Sequence, residues 1–308
     1  MGRPFRFGVS VGSAPTAEAW QEVARKAEDL GFDILLAADH IRQSFQPMLA
    51  LMAAADATKT IRLGTFVINN DFRHPVLMAR EAATLDFLSG GRFEFGIGAG
   101  HSGDEYAEAG IAFDRPAVRV RRMDESVQMI KRLWSEDSVS FEGEFYKITE
   151  HSSFPKPIQP SIPVAIGGNG KSVLEVAGRE ADIVGFTGFL PGVNGRAKAF
   201  PHFTASGLAN RIEVVRAAAG ERFEELELNV LVQGVDTQTG AATAEEWAKE
   251  VGFETREIVE SPFVLFGSEA EIIDKLLRQR DEFGVSYITV FGPAMETIAP
   301  VVARLRGR

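Results

Sequence analysis

The sequence contains no cysteine among its 308 residues. Disulfides, thiolate metal sites and cysteine nucleophiles are therefore excluded. It also contains no apolar run of about 18 residues, the length that a membrane-spanning helix needs. Residues 1–7 contain no apolar core of the kind found in a signal peptide. These absences favour a cytoplasmic protein without a membrane partner.

The sequence has no excess of basic charge, since 33 Lys and Arg residues face 43 Asp and Glu residues, for a net charge of -10. This charge argues against a nucleic acid as the main partner, because phosphate binding needs a clustered basic surface. The five histidines show neither H-x-H nor H-E-x-x-H spacing and no accompanying carboxylate cluster. We therefore expect no metal site and disfavour metal-dependent hydrolysis.

Apolar and alternating segments predict eight strands, with helical patterns between them. The predicted strands are Phe5–Val11, Asp33–Ala38, Ile61–Ile68, Arg92–Ala99, Val164–Gly167, Ile183–Phe186, Leu226–Val235 and Tyr287–Phe291. This order predicts a parallel sheet. We expect an α/β fold in which this sheet closes into a (β/α)8 TIM barrel, formed as a single domain over residues 1–308. An open doubly wound sheet is the alternative, but no G-x-G-x-x-G follows the first strand.

Two connections are longer than the others and are interpreted as insertions, after strands 4 and 6. The first contains a predicted helix over Ala117–Trp134 and a hairpin over Ser138–Ile148. The second, Thr187–Ser206, lacks periodicity and resembles the long loops that carry function or mobility. The phenylalanines in and beside it form either an apolar lid or part of the core: Phe186, Phe189, Phe200 and Phe203.

Polar residues follow the second predicted strand, at the end of a barrel strand where active sites lie. Asp39 comes directly after a buried apolar run, so its carboxylate is expected at the barrel mouth. His40 stands beside it, and histidine is the side chain best suited to move protons in an active site. We interpret the pair as catalytic; the alternative is a loop cap without a chemical role.

Two glycine-rich segments also end strands. One joins strand 5 to a helix N-terminus, where backbone N–H groups and the helix dipole favour an anion. It predicts a phosphate-bearing cofactor or substrate, the alternative being a plain tight turn, and comprises Gly167, Gly168, Asn169, Gly170 and Lys171. The other, Gly96–Gly100, allows either close strand packing or a flat ring against the backbone. His101 follows it and faces either a ligand or solvent.

In chain order, several motifs together resemble those of the bacterial luciferase-like monooxygenase superfamily. Within it, the sequence is most similar to the short members that use the deazaflavin coenzyme F420. The motifs are Ala38-Asp39-His40, Arg73-His74-Pro75, Leu85–Arg92, Gly96–Gly100, Asp104-Glu105-Tyr106, Phe113–Pro116, Arg119-Val120, and Pro155–Gln159 leading to Ile166–Gly168.

The resemblance implies a role for each of the matching residues. Asp39 would hydrogen-bond the edge of the ring, and His40 would give or take a proton near the reacting carbon. A non-proline cis peptide at Phe66–Val67, with Asn69 nearby, would support the ring. Gly100 and His101 would lie along the ring or ribityl chain. The segment 167–171 would hold the phosphate.

The sequence departs from the family at His101, where relatives often carry a tryptophan or a glutamate. A family acid is then missing, and proton transfer falls to His40 or to His101. The function implied is hydride transfer between reduced F420 and a C=C, C=N or C=O bond of a small molecule, or its reverse. An FMN-dependent monooxygenase using reduced FMN and O2 is the alternative, and a non-catalytic flavin-binding barrel a lesser one. The resemblance also suggests a homodimer.

Overall fold

A computed structural model describes residues 2–190, 198–199, 201–251 and 253–308. Eight parallel strands form its centre, and the predicted barrel is confirmed. They are β1 Arg6–Ser10, β2 Ile34–Ala37, β3 Arg62–Thr65, β4 Phe93–Gly98, β5 Val164–Gly167, β6 Ile183–Thr187, β7 Glu227–Leu231 and β8 Val285–Phe291.

The strands pair in chain order, and two pairings close the sheet on itself. β1 pairs with β8, where Arg6 is opposite Tyr287. β3 pairs with β4, where Leu63 is opposite Phe93. A closed parallel barrel places the carboxyl ends of all eight strands at one mouth. That mouth is where the polar residues after each strand converge.

Helices surround the barrel. They are α1 Ala17–Asp29, α2 Pro47–Ala57, α3 Pro75–Leu88, α4 Gly103–Ala109, α5 Pro116–Ser135, α6 Lys171–Glu180, α7 Ala205–Ala219, α8 Gly240–Val251, α9 Thr255–Glu260, α10 Glu269–Phe283 and α11 Met295–Leu305. In the described part of the chain, none of them has both the length and the apolarity needed to cross a membrane.

The strands are buried on both faces, which explains their apolar sequences. Ile34, Leu36, Ala165, Ile183 and Tyr287 form one buried cluster, and the ring of a residue just after β3, Phe66, packs against it. The other strand side chains join the larger core under the helices. The barrel interior is thus filled with side chains, and ligands have access only at its ends.

The prediction of one strand over Leu226–Val235 is wrong. β7 ends at Leu231, and Gly234–Asp236 pairs instead with Val264–Phe266 in a separate two-stranded sheet. The backbone N–H of Gln233 donates to the carbonyl of Phe263 at 2.7 Å, which draws the chain away from the barrel. The predicted strand Ile61–Ile68 is likewise divided, because β3 ends at Thr65 and a short strand resumes at Ile68–Asn69.

Both predicted insertions are present. After β4 come α4, α5 and the antiparallel strands Val139–Glu142 and Lys147–His151. After β6, the two-residue strands Phe189–Leu190 and Lys198–Ala199 pair antiparallel. Phe186 and Phe203 are 1% and 0% exposed, so these two belong to the core rather than to a lid. Phe200 and the side chain of Phe189 lie outside the described residues.

Candidate active site

Three ionisable side chains meet at the barrel mouth between β2 and β4. His40, in the loop after β2, places its Nδ1 atom 3.0 Å from Oε1 of Glu105 on α4. The rings of His40 and His101 make an edge contact, with centroids 5.4 Å apart. The Glu105 side chain is 9% exposed, whereas that of His40 is 35% exposed. The site therefore combines a buried carboxylate with an accessible imidazole.

His101 differs electrostatically from His40. Partial burial at the mouth lowers the pKa of His101, and the nearby His40 and Arg119 lower it further, against the opposing effect of Glu105. His101 is consequently neutral at pH 7, since the ordinary value of a histidine is about 6.5. A lowered pKa at a residue in a cleft is a frequent feature of functional sites.

The side chain of Asp39 points toward the residues that follow β3 rather than toward Glu105, the partner of His40. Its carboxylate accepts two hydrogen bonds from the Arg73 guanidinium, at 2.5 and 3.2 Å, and one from the backbone N–H of Asn69 at 3.1 Å. The Asp39 side chain is 7% exposed. It therefore connects the ends of β2 and β3; its predicted contact with the ring of a cofactor remains a prediction.

The peptide bond between Phe66 and Val67 is cis, as the resemblance implied. It lies between the end of β3 and Asn69. A methyl group at Gly98, on the neighbouring β4, would lie only 2.7 Å from Cγ2 of Val67. Glycine at this position thus allows β4 to pack against the cis segment, which favours the packing interpretation of the glycine pattern there.

The end of β4 is held by a second set of contacts. Gly100 has a φ of 76°, and a side chain at this position would meet the hydroxyl of Tyr106 at 2.0 Å. That hydroxyl donates to Oδ1 of Asn69 at 2.9 Å. Arg119 donates to the carbonyls of Ala99 and Gly100 at 3.1 and 3.3 Å. The predicted site residues after β3 and β4 are thereby fixed to each other.

The segment after β5 lies on the same mouth. Asn169 is 6% exposed, and its Oδ1 atom accepts a hydrogen bond from Arg211. Gly170 precedes α6 and offers no side-chain cap to its first turn. The Lys171 side chain is 79% exposed and lies 3.8 Å from Glu175. Backbone groups and Asn169, rather than Lys171, are thus the enclosed part of this segment.

Sequence reasoning did not single out Arg73, Glu105 or Arg211 as site residues. Arg73 and Glu105 did occur within the motifs that carried the resemblance. Glu105 lies on α4, whereas His101 precedes that helix in the loop after β4. A carboxylate is therefore present in the site although His101 stands where relatives often carry a tryptophan or a glutamate.

The fold and the mouth define a TIM-barrel protein with two adjacent histidines and a buried carboxylate at its mouth. A profile of the luciferase-like monooxygenase family matches residues 3–287. The chain belongs to that family.

Individual proteins are similar to this chain over part of its length. An F420-dependent glucose-6-phosphate dehydrogenase of Amycolatopsis mediterranei is 35% identical over 169 residues, which cover 52% of this chain and 50% of that protein. One of Nakamurella multipartita is 31% identical over 237 residues, covering 73% of this chain and 66% of that protein. The chain thus spans about half to two thirds of the length of these relatives.

Solved structures share the fold over nearly the whole chain. The coenzyme F420-dependent tetrahydromethanopterin reductase of Methanopyrus kandleri has a TM-score of 0.78 at 21% identity, covering 98% of both chains. An F420-dependent secondary alcohol dehydrogenase has a TM-score of 0.77 at 20% identity, covering 98% of this chain and 99% of that one. At such identities the likeness concerns the fold alone.

Proposed function

We propose that the protein is an F420-dependent oxidoreductase acting on a small organic molecule. The contact between His40 and Glu105 at the barrel mouth is the observation that carries this proposal, because it gives a redox site a proton donor and acceptor. The names of the relatives at 31–36% identity support F420 as the cofactor. The substrate would contain a C=O, C=N or C=C bond, or its reduced counterpart.

The residues after β5 fit a phosphate-bearing cofactor. The first turn of α6 receives no side-chain cap from Gly170, so its N–H groups are available to an anion. Among the described residues, the buried Nδ2 atom of Asn169 has no hydrogen-bond partner. Asn169 and the N–H groups of this turn would hold the phosphate, and the segment from Phe66 to Asn69 would face the ring.

A bound reduced deazaflavin would supply hydride chemistry, while His40 handles the accompanying proton. A carboxylate only accepts hydrogen bonds, so with Glu105 in this form Nδ1 of His40 carries the hydrogen between them. The Nε2 atom is then the ring nitrogen left to give a proton to, or take one from, the substrate. Glu105 would stabilise the imidazolium that forms when Nε2 accepts this proton, and neutral His101 lies against the same ring.

Spectral titration with F420 and, separately, with FMN tests the cofactor. Tight binding of F420 without binding of FMN is expected; the reverse result would replace the proposal with the FMN-dependent monooxygenase. His40→Ala tests the proton role: F420 affinity should change little, while turnover falls roughly 10²–10⁴-fold. Unchanged turnover would reject His40 as the acid–base residue. The homodimer and the cytoplasmic location stay predictions.

A further inference from the structure

A buried arginine on α7 lies beside the loop that follows β5. Arg211 is 4% exposed, and it donates to the carbonyls of Thr187, His202 and Gly207 at 2.9, 2.6 and 3.1 Å. Its Nη1 atom also donates to Oδ1 of Asn169. The side chain therefore joins the carboxyl ends of β5 and β6 at the mouth.

Among the residues that the structure describes, no anionic group contacts Arg211. All four partners are neutral oxygens, and the rings of Phe186 and Phe263 flank the guanidinium at 5.5 and 5.3 Å. Burial lowers the pKa of Arg211 to about 10, so the group is still cationic at neutral pH. Buried cations are normally paired with an anion, because an unbalanced buried charge is unfavourable.

The contact with Arg211 also fixes the orientation of Asn169. A guanidinium can only donate, so the amide oxygen of Asn169 faces Arg211 and its nitrogen faces the other way. That nitrogen is buried and lacks a hydrogen-bond partner among the described residues. Asn169 directly precedes the uncapped N-terminus of α6 at Gly170. In the described part of the chain, donors without a partner thus lie in the Asn169 side chain and in the first turn of α6, next to a buried positive charge that no described anion contacts.

We propose that Arg211 is a positioning residue for the phosphate of the bound cofactor. It orients the Asn169 amide so that Nδ2 donates to a phosphate oxygen, and the phosphate balances the buried guanidinium. The inference rests on the proposed function, because the ligand is the phosphate-bearing tail of F420. It adds a residue of α7 to a site otherwise formed by the β5–α6 loop.

A purely structural role for Arg211 makes a different prediction. The contacts with Thr187 and His202 support the two ends of the connection after β6. If this support were the whole contribution of Arg211, its loss would disturb the barrel mouth generally. The affinity for F420 and the affinity for its chromophore without the phosphate would then fall equally. If it serves the phosphate, only ligands that carry the phosphate should lose affinity.

The experiment compares dissociation constants for F420 and for its chromophore lacking the phosphate-bearing tail, measured by fluorescence titration. Arg211→Gln and Asn169→Ala should each weaken F420 binding roughly 10- to 100-fold, the range of a lost hydrogen bond to a charged group. Neither should change the affinity of the tail-less chromophore by more than about 2-fold. The double variant should bind F420 no more weakly than Arg211→Gln does, because the two substitutions remove the same interaction with the phosphate. Arg211→Lys should recover part of the loss.

Arg222→Gln is the matched control. Arg222 donates to the carbonyls of Gly178 and Ala181 at the opposite end of α6, so its loss should leave both affinities unchanged. If Arg211→Gln fails to fold, Asn169→Ala decides alone, since it leaves the three backbone contacts of Arg211 in place. Equal weakening of both ligands, or of neither, would overturn the inference. Failure of the unaltered protein to bind F420 would overturn the proposed function, and the inference with it.

Discussion

The Nδ1 atom of His40 and the Oε1 atom of Glu105 are 3.0 Å apart, although the two residues are separated by 65 positions in the chain. The contact joins the loop after β2 to α4. It sets the protonated nitrogen of His40 and leaves the other nitrogen at the mouth for chemistry. Under the proposed function, Glu105 would act on a substrate through His40.

Glu105→Gln should lower turnover roughly 10- to 100-fold while F420 affinity changes by less than about 2-fold. The amide keeps the size of the side chain but removes the charge that stabilises the imidazolium. The pH dependence of kcat should also change, because the substitution removes a negative charge beside the proposed acid–base group. Steady-state kinetics across pH, together with fluorescence titration, measure both quantities.

Glu108→Gln is the control for that variant. Glu108 lies on the same helix, is 56% exposed and pairs with Arg42 at the surface. Its loss should change neither turnover nor the pH profile, since exposed ion pairs contribute little. Equal effects of the two substitutions would show that α4 as a whole, rather than the Glu105 carboxylate, supports catalysis.

His101 should be neutral at pH 7 and titrate below about 6.5. Partial burial is the main cause of its lowered pKa, followed by the positive charge of His40, while Glu105 acts in the opposite direction. Glu105→Gln should therefore lower the pKa of His101 further. Histidine ring signals followed by NMR as pH falls would report this, with His101→Gln assigning the signal. A pKa above 7 would contradict the expected division of charge between the two histidines.

Removal of one partner of the Asp39–Arg73 pair should destabilise the fold. The side chains of Asp39 and Arg73 are 7% and 17% exposed. Without Arg73, the buried Asp39 carboxylate would lose its counter-charge. Arg73→Met should cost about 3 kcal/mol in the free energy of unfolding, measured with urea. Arg121→Met, whose partner Glu144 is 56% exposed, should cost less than about 1 kcal/mol. Similar losses for both would indicate that the Asp39 carboxylate is well solvated.

The strands of the barrel could be predicted where every residue of a strand is buried, because such a strand is apolar throughout. Ile34–Ala37 is buried at every position, so it forms an uninterrupted apolar run. Residues 226–235 show a similar pattern, yet only Glu227–Leu231 belongs to the barrel. Apolar patterning reports that a segment is buried but not which strand it pairs with, and Gln233 finds its partner at Phe263.

The candidate site was predictable to the same extent. Asp39 and His40 stand out because polar residues directly after a buried strand must lie at the mouth. Arg73, Glu105 and Arg211 do not stand out, because charged residues on or near helices are usually solvated. Their roles depend on contacts across 34, 65 and 42 positions. Only the closure of the barrel brings these partners together.

Glu28, which lies outside the candidate site, allows the pH dependence of the stability of the fold to be tested. Its carboxylate, at the end of α1, accepts hydrogen bonds from the backbone N–H groups of Lys59, Thr60 and Ile61, which lead into β3. Although burial disfavours its charge, these bonds and the Thr60 hydroxyl lower its pKa to about 2.

Because the pKa of Glu28 is lower in the folded state, the unfolded state binds more protons between pH 4.5 and 2. The stability that Glu28 contributes is therefore complete above pH 4.5 and is lost as pH falls through about 2. Glu28→Gln should cost about 1–2 kcal/mol at pH 7, and this difference from the unaltered protein should shrink as pH falls. Urea unfolding at pH 7, 4 and 3 measures it, with the exposed Glu22→Gln on the same helix as control. A difference that stays constant with pH would mean that shape, rather than charge, accounts for the contribution of Glu28.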